Sequence, residues 1–241
     1  MTLAGLLAVH NTDILAGIVL AQLTAPGTPV LYSNYSGLMD MQSGLMPYGS
    51  PSLALMGRAA VQMADFYGIP SYSAGLTGDS HLPDYQAALE TSVTGMTAAL
   101  AGADIVTGAG TTNGIMVFSP AKLLCDCQLI QMIKQIRGGI AIDEKRLALD
   151  LIKTTGPGGD FLTSDHTLEF FREYPRCELI DHAPFELWQQ DGRRDMIQRA
   201  SEKAVQIMQN HTPEPLDPGM VSEMKKIVAA AEKEIRNDRQ R

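Results

Sequence analysis

Residues 101–110, AGADIVTGAG, hold three signals in ten positions. Gly102 ends a helix, Asp104–Thr107 (DIVT) is a short β-rich run, and Gly108 and Gly110 open a loop. Upstream the same order occurs twice more. Strands are predicted at 29–34 (PVLYSN), 70–74 (PSYSA) and 104–107. A loop rich in Gly, Asp, Asn and Thr follows each one. Helices then run from 52 to about 67, about 84 to 101 and about 120 to 137. Ser50-Pro51 and Ser119-Pro120 are helix starts, because the serine hydroxyl caps a free N–H and proline lacks the N–H that would go unpaired. The repeated cycle is βαβαβα, with connections long enough for right-handed parallel crossovers. Loops at the carboxyl ends of such strands form the functional face of an α/β sheet or barrel.

Outward from this core the pattern changes. Residues 12–24 read as a helix that is apolar almost all round and therefore well covered, stopped by Pro26, Gly27 and Pro29. No strand precedes it, and three or four parallel strands fall short of the eight that close a barrel. The open edge of so apolar a sheet calls for a cover. The expectation is an α/β fold, part of a (β/α)8 TIM-type barrel. Residues 1–140 would be the C-terminal half of that barrel and 141–241 a helical C-terminal wrap of the same domain. Within the wrap, 143–154, 165–173, 192–210 and 219–238 read as helices, 156–159 (GPGG) as a turn and 211–219 (HTPEPLDPG) as a semi-rigid linker.

Composition narrows the function. The chain has 241 residues, 45% of them hydrophobic and 19% charged, which excludes bulk disorder and suffices for a buried core. The longest apolar stretch, 14–23, is too short to span a bilayer, and no basic segment or cleavage site follows Met1. Three cysteines read as reduced thiols, so a cytoplasmic protein with no membrane association is expected. The net charge is −8, unevenly spread: residues 1–120 carry seven acids and one base, Arg58, whereas 121–241 carry 20 acids and 18 bases. Carboxylates without counter-cations suit a cationic ligand. Nucleic acid is not an expected partner, because the first half lacks a basic stripe.

Cys125 and Cys127 sit two apart on a helix and point to different faces, and Cys177 is distant, so no resident metal is expected. The chain has no GxSxG elbow, Walker loop or HExxH pair, and 108–114 lacks dinucleotide spacing. No catalytic residue is assigned. The candidate substrate-binding residues are Tyr32 and Asp40 after strand one, Asp79 and Asp84 after strand two, Asn113 after strand three, and His166 at the start of a short helix. Tyr35, Tyr48, Tyr72, His81 and Gln86 share those loops. Tyrosines and carboxylates on one rim can hold a quaternary ammonium by cation–π and charge attraction. Asp84 also reads as a helix cap, His81 as an exposed loop residue and His166 as a core hydrogen-bonder.

The runs TLAG (2–5), GTPVLYSNYSGLMDMQSG (27–44), GSP (49–51), DYQAALE (84–90), AGADIVTGAG (101–110) and GPGGDFLTSDHTLEFFR (156–172) occur in order. In this the chain resembles the C-terminal half of the trimethylamine methyltransferase family, whose members run to roughly twice this length. The resemblance implies a (β/α) barrel that docks on a small corrinoid protein and passes a methyl group from a methylated amine to Co(I). The corrinoid cofactor belongs to that partner and none is bound directly. The family's archaeal trimethylamine enzymes carry pyrrolysine. This chain shows only standard residues and so resembles the pyrrolysine-free branch, which acts on quaternary amines such as glycine betaine. It departs from the family in having Ser52 where glutamate is usual, and Cys127 and Gln128 where an acid pair is frequent. Two alternatives stay open: a barrel enzyme for another small metabolite, and a non-catalytic or incomplete barrel. A homo-oligomer also stays open.

Overall fold

The computed structural model describes residues 2–174 and 176–238. Three strands, β1 (Tyr32–Asn34), β2 (Ser71–Ala74) and β3 (Ile105–Thr107), form a parallel sheet in the order β1-β2-β3, with Tyr32 beside Ser71 and Tyr72 beside Ile105. The expected strands are present and parallel. Helices α1 (Leu3–Thr24), α2 (Pro51–Tyr67), α3 (Tyr85–Leu100) and α4 (Pro120–Gly138) alternate with them. Ser50, Asp84 and Ser119 accept backbone N–H bonds from Leu53, Ala87 and Lys122, as capping side chains do. Gly68 closes α2 at φ +64°, a conformation that costs glycine little.

Side chains alternate across the sheet. Tyr32 packs against Ala60 and Ala64 of α2, and Val106 against Val61 and Ala98 of α2 and α3. Gly57 of α2 lies so close to β2 that a Cβ there would sit 2.6 Å from the Ser73 hydroxyl. Tyr32, Asn34, Ser73 and Val106 thus face the helices, and Ser33, Tyr72 and Ile105 fall on the opposite face by the period of two. At the amino ends of β2 and β3 a carboxylate ties the strands: Asp104 accepts the Ser71 N–H at 2.7 Å and the Ser71 hydroxyl at 2.8 Å.

Three expectations need correction. Helix α1 begins at Leu3 rather than at 12, and it is largely exposed: Val19, Leu20 and Leu23 face out, and among its residues only His10 is buried. Its seat is a polar cluster, in which Asn11 accepts from the Tyr32 hydroxyl at 3.0 Å and donates to the Tyr67 hydroxyl at 3.1 Å. By length and composition alone α1 could cross a membrane, so the 14–23 estimate understated it. Residues 108–118, read as open loop, form an antiparallel hairpin, β4 (Thr111–Thr112) and β5 (Val117–Phe118). The 143–154 helix breaks at Ala148, φ +47°, into α5 (Glu144–Leu147) and α6 (Leu149–Thr155).

Downstream lie α7 (Asp165–Phe170), an additional short helix α8 (Phe185–Gln190), α9 (Met196–Asn210) and α10 (Pro218–Asp238). The first compact unit extends through Ala204, and the second, 205–241, holds the end of α9, the linker and α10. Within the first unit the 177–200 segment is tied to α4 where Gln128 accepts the Leu179 N–H at 3.1 Å, and to itself where Arg199 donates to the Leu179 carbonyl at 3.0 Å.

Candidate functional site

A cavity of about 820 Å³ opens at the carboxyl ends of the strands. Its walls come from the loop after β1 (Asp40, Met46, Tyr48), the loop after β2 (Asp79, His81) and the hairpin after β3 (Asn113 to Met116), with Gln86 from α3. No lysine or arginine is among the described residues lining it.

The three loops are bonded to one another. Asp79 accepts the Tyr48 N–H at 2.8 Å with one carboxylate oxygen and the Gly49 N–H at 2.7 Å with the other. The Thr77 hydroxyl donates to the Tyr48 carbonyl at 2.8 Å. On the other side Asn113 N–H donates to the Ser80 carbonyl at 2.8 Å, and Gly114 N–H to the Gly78 carbonyl at 3.1 Å. His81 Nδ1 lies 2.7 Å from Asn113 Oδ1. An amide oxygen only accepts, so Nδ1 is the donor in this contact. Asn113, Gly114 and Ile115 all have positive φ, at +53°, +60° and +66°. For a β-branched residue such as Ile115 that is strained backbone, held by the hairpin on either side.

Asp40 is exposed at the mouth. The Ser43 hydroxyl and N–H, at 2.7 and 2.9 Å, hold its pKa below the ordinary carboxylate value, so it is anionic at neutral pH. Tyr35, just past β1, donates to or accepts from the Thr107 hydroxyl at 2.6 Å, and its ring centre lies 6.1 Å from that of Tyr72. Burial pushes the Tyr35 phenol up, with Tyr72 and Tyr48 adding to the rise. The phenol stays neutral, and the ring keeps a π face for a cation.

Of the six residues named from sequence, Asp40, Asp79 and Asn113 line this cavity. Tyr32 does not. It is 0% exposed and packs on the helix side of β1, because the strand's alternation turns it away from the rim. Asp84 caps α3 through the Ala87 N–H at 3.0 Å, takes the Ser80 hydroxyl at 2.7 Å, and borders a separate 240 Å³ cavity between α3 and α4. His166 lies in the helical region after α4, where Nε2 donates to the Lys145 carbonyl at 3.0 Å and the ring meets Phe170 at 4.7 Å. His81, Tyr48 and Gln86, placed by sequence in the same loops but not counted among the six, also line the strand-end cavity. Their position in the same strand-end loops was the available signal.

The thiols are free. Burial pushes Cys125 up to about 11, which leaves it protonated and unreactive at neutral pH.

The fold and cavity define an α/β protein whose strand-end site carries anionic and aromatic groups. The family model for trimethylamine methyltransferase (MTTB) matches residues 1–236. Trimethylamine methyltransferase MttB of Desulfitobacterium hafniense (strain DSM 10664 / DCB-2) is 40% identical over 234 residues, covering 97% of this chain and 47% of that protein. MttB1 of Methanosarcina mazei is 38% identical over 234 residues, with 97% and 47% covered. The glycine betaine methyltransferase of Desulfitobacterium hafniense (strain Y51) is 39% identical over 236 residues, with 97% and 49% covered. The chain belongs to the trimethylamine methyltransferase family, a family of enzymes. It spans about half the length of the curated relatives it matches.

Proposed function

We propose that this chain supplies the amine-holding side of a corrinoid-dependent methyltransferase, and that its substrate is a quaternary methylated amine. The observation that carries the reading is the cavity at the strand ends, lined by Asp40 and Asp79 with neither lysine nor arginine among its described walls. A carboxylate field attracts a fixed cation and repels a phosphorylated metabolite. A (β/α) barrel is part of the reading: the face carrying Ser33, Tyr72 and Ile105 would be its interior, closed by the part of the relatives' length that this chain does not match.

Within that site the residues bind and orient. Asp40 supplies charge at the mouth, Tyr48 supplies the aromatic wall, and the bonded loops fix the walls so that little ordering is left to do on binding. A corrinoid on a partner protein would supply the nucleophile that accepts the methyl group. The C–N bond breaks with its electrons left on nitrogen, so a quaternary ammonium departs as a neutral amine and no proton donor is required. That agrees with the absence of any assigned nucleophile or acid in the sequence reading. The partner's docking surface would be the apolar rim of the mouth, where Met41, Leu45 and Met116 are 83, 69 and 80% exposed. A cytoplasmic setting, where such low-potential cobalt persists, belongs to the same proposal.

The test is the visible spectrum of a reduced corrinoid protein mixed with the barrel and a panel of methylamines and betaines. The barrel is this chain joined to, or mixed with, the first half of a relative. Loss of the Co(I) band with a quaternary amine supports the reading. No change with any N-methylated amine, together with turnover of a phosphorylated or carbonyl substrate, overturns it.

A further inference from the structure

Glu90 sits on α3 one turn past Gln86, behind the cavity wall. Its Oε2 accepts the Asp79 N–H at 2.7 Å and the Ser80 N–H at 3.2 Å, and its Oε1 accepts from the Gln86 side chain at 2.8 Å. Asp79 then passes the restraint on, through the Tyr48 and Gly49 N–H groups, to the loop after β1. The stem of Glu90 also fills the space beside two glycines. A Cβ on Gly49 would lie 2.5 Å from its Cγ and Cδ, and one on Gly78 would lie 2.8 Å from Oε2. One side chain of α3 therefore holds both loops that build the carboxylate wall. Bonds from backbone N–H to a charged carboxylate are short and strong, and a buried N–H left without its acceptor is costly.

We infer that Glu90 is a positioning residue of the amine site: it sets Asp79, Tyr48 and Gly49 in place by the reach of its carboxyl oxygens, and its charge is not what the ligand feels. The inference rests on the reading of this cavity as the amine site. Two substitutions separate reach from charge. Glu90→Asp keeps the charge and loses one methylene of reach. Glu90→Gln keeps the reach and one acceptor oxygen for the Asp79 and Ser80 N–H groups, and Gln86 can turn its amide oxygen to meet the new NH₂.

The experiment measures two things on the same chain: hydrogen exchange at the amides of residues 48, 49, 79 and 80, and binding of tetramethylammonium followed by NMR titration. Glu90→Asp and Glu90→Ala should speed exchange at all four amides by about tenfold or more and weaken tetramethylammonium binding several-fold. Glu90→Gln should leave binding within about twofold of the parent. The inference is overturned if Glu90→Gln loses binding while Glu90→Asp keeps it, because charge would then be the operative property. It is equally overturned if Tyr48 and Gly49 stay protected in Glu90→Asp. If the parent chain binds no tetramethylammonium, the cationic reading of the cavity falls by itself, and the exchange pattern alone decides whether Glu90 holds the loops.

Discussion

The Lys122 ammonium donates to the Asp126 carboxylate at 2.7 Å, one helical turn apart on α4, with the two side chains only 3 and 6% exposed. The same Asp126 oxygen accepts the Gly110 N–H at 2.7 Å, so the pair anchors the base of the hairpin whose tip reaches the cavity. Burial pushes the Asp126 carboxyl above its ordinary value, and the lysine opposes the rise. Lys122→Met leaves the carboxylate buried and unpaired and should cost about 3–5 kcal/mol in denaturant unfolding. In that variant the native state binds the Asp126 proton more tightly than the unfolded chain does. Stability therefore falls as pH rises through the folded value, and the deficit shrinks on acidification. A variant as stable as the parent at neutral pH would refute the anchor.

Tyr32 and Asp40 separate fold from binding. Tyr32→Phe removes the donor to half-buried Asn11 and should cost about 1 kcal/mol in stability, with amine affinity unchanged. Asp40→Asn should do the reverse: the melting temperature holds, and affinity for tetramethylammonium or glycine betaine falls about two- to fivefold, less so at high salt. Calorimetric titration beside thermal melts reads both. Equal loss of affinity in the two variants would put Tyr32 back at the rim.

Asp104 gives the fold an acid-sensitive bond. The Ser71 N–H and hydroxyl hold its pKa below the ordinary value. The folded chain thus binds fewer protons there than the unfolded one. The stabilisation is present above the unfolded value of about 4 and is lost as pH falls through the lower folded value. Melting temperature plotted against pH should show a shallower acid limb in Asp104→Asn than in the parent.

Gly49→Ala places a methyl 2.5 Å from the Glu90 carboxyl stem. Its φ allows a side chain but the packing does not, so the variant should lose about 1–3 kcal/mol. Gly44→Ala, with nothing within 4 Å but φ +72°, should lose about 1 kcal/mol through backbone strain alone. Chemical denaturation of the two compares packing with conformation.

Local chemistry determined much of this protein from sequence alone. Ser50, Asp84 and Ser119 before their helices, Gly68 after α2, and the three short β-rich runs fix where elements begin and end, because capping and backbone preference act within a few residues. The charge asymmetry behind the proposed cationic ligand, seven acids against one arginine in the first half, is also in the sequence. Tertiary structure alone decided the rest. Which face of β1 Tyr32 takes depends on α2 packing over Ala60 and Ala64, and a three-residue strand is too short to declare its buried side. The 108–118 hairpin has no alternating pattern, since Thr111–Thr112 pairs with Val117–Phe118 only after Asp126 and Ser119 tie down Gly110. His166 and Asp84 carry the same chemistry as His81 and Asp40, which line the cavity, but a place on its wall is a property of the folded chain. The joining of Asp79, Glu90 and the Tyr48–Gly49 backbone spans residues 48 to 90, and no spacing rule brings such distant groups together before the loops close on each other.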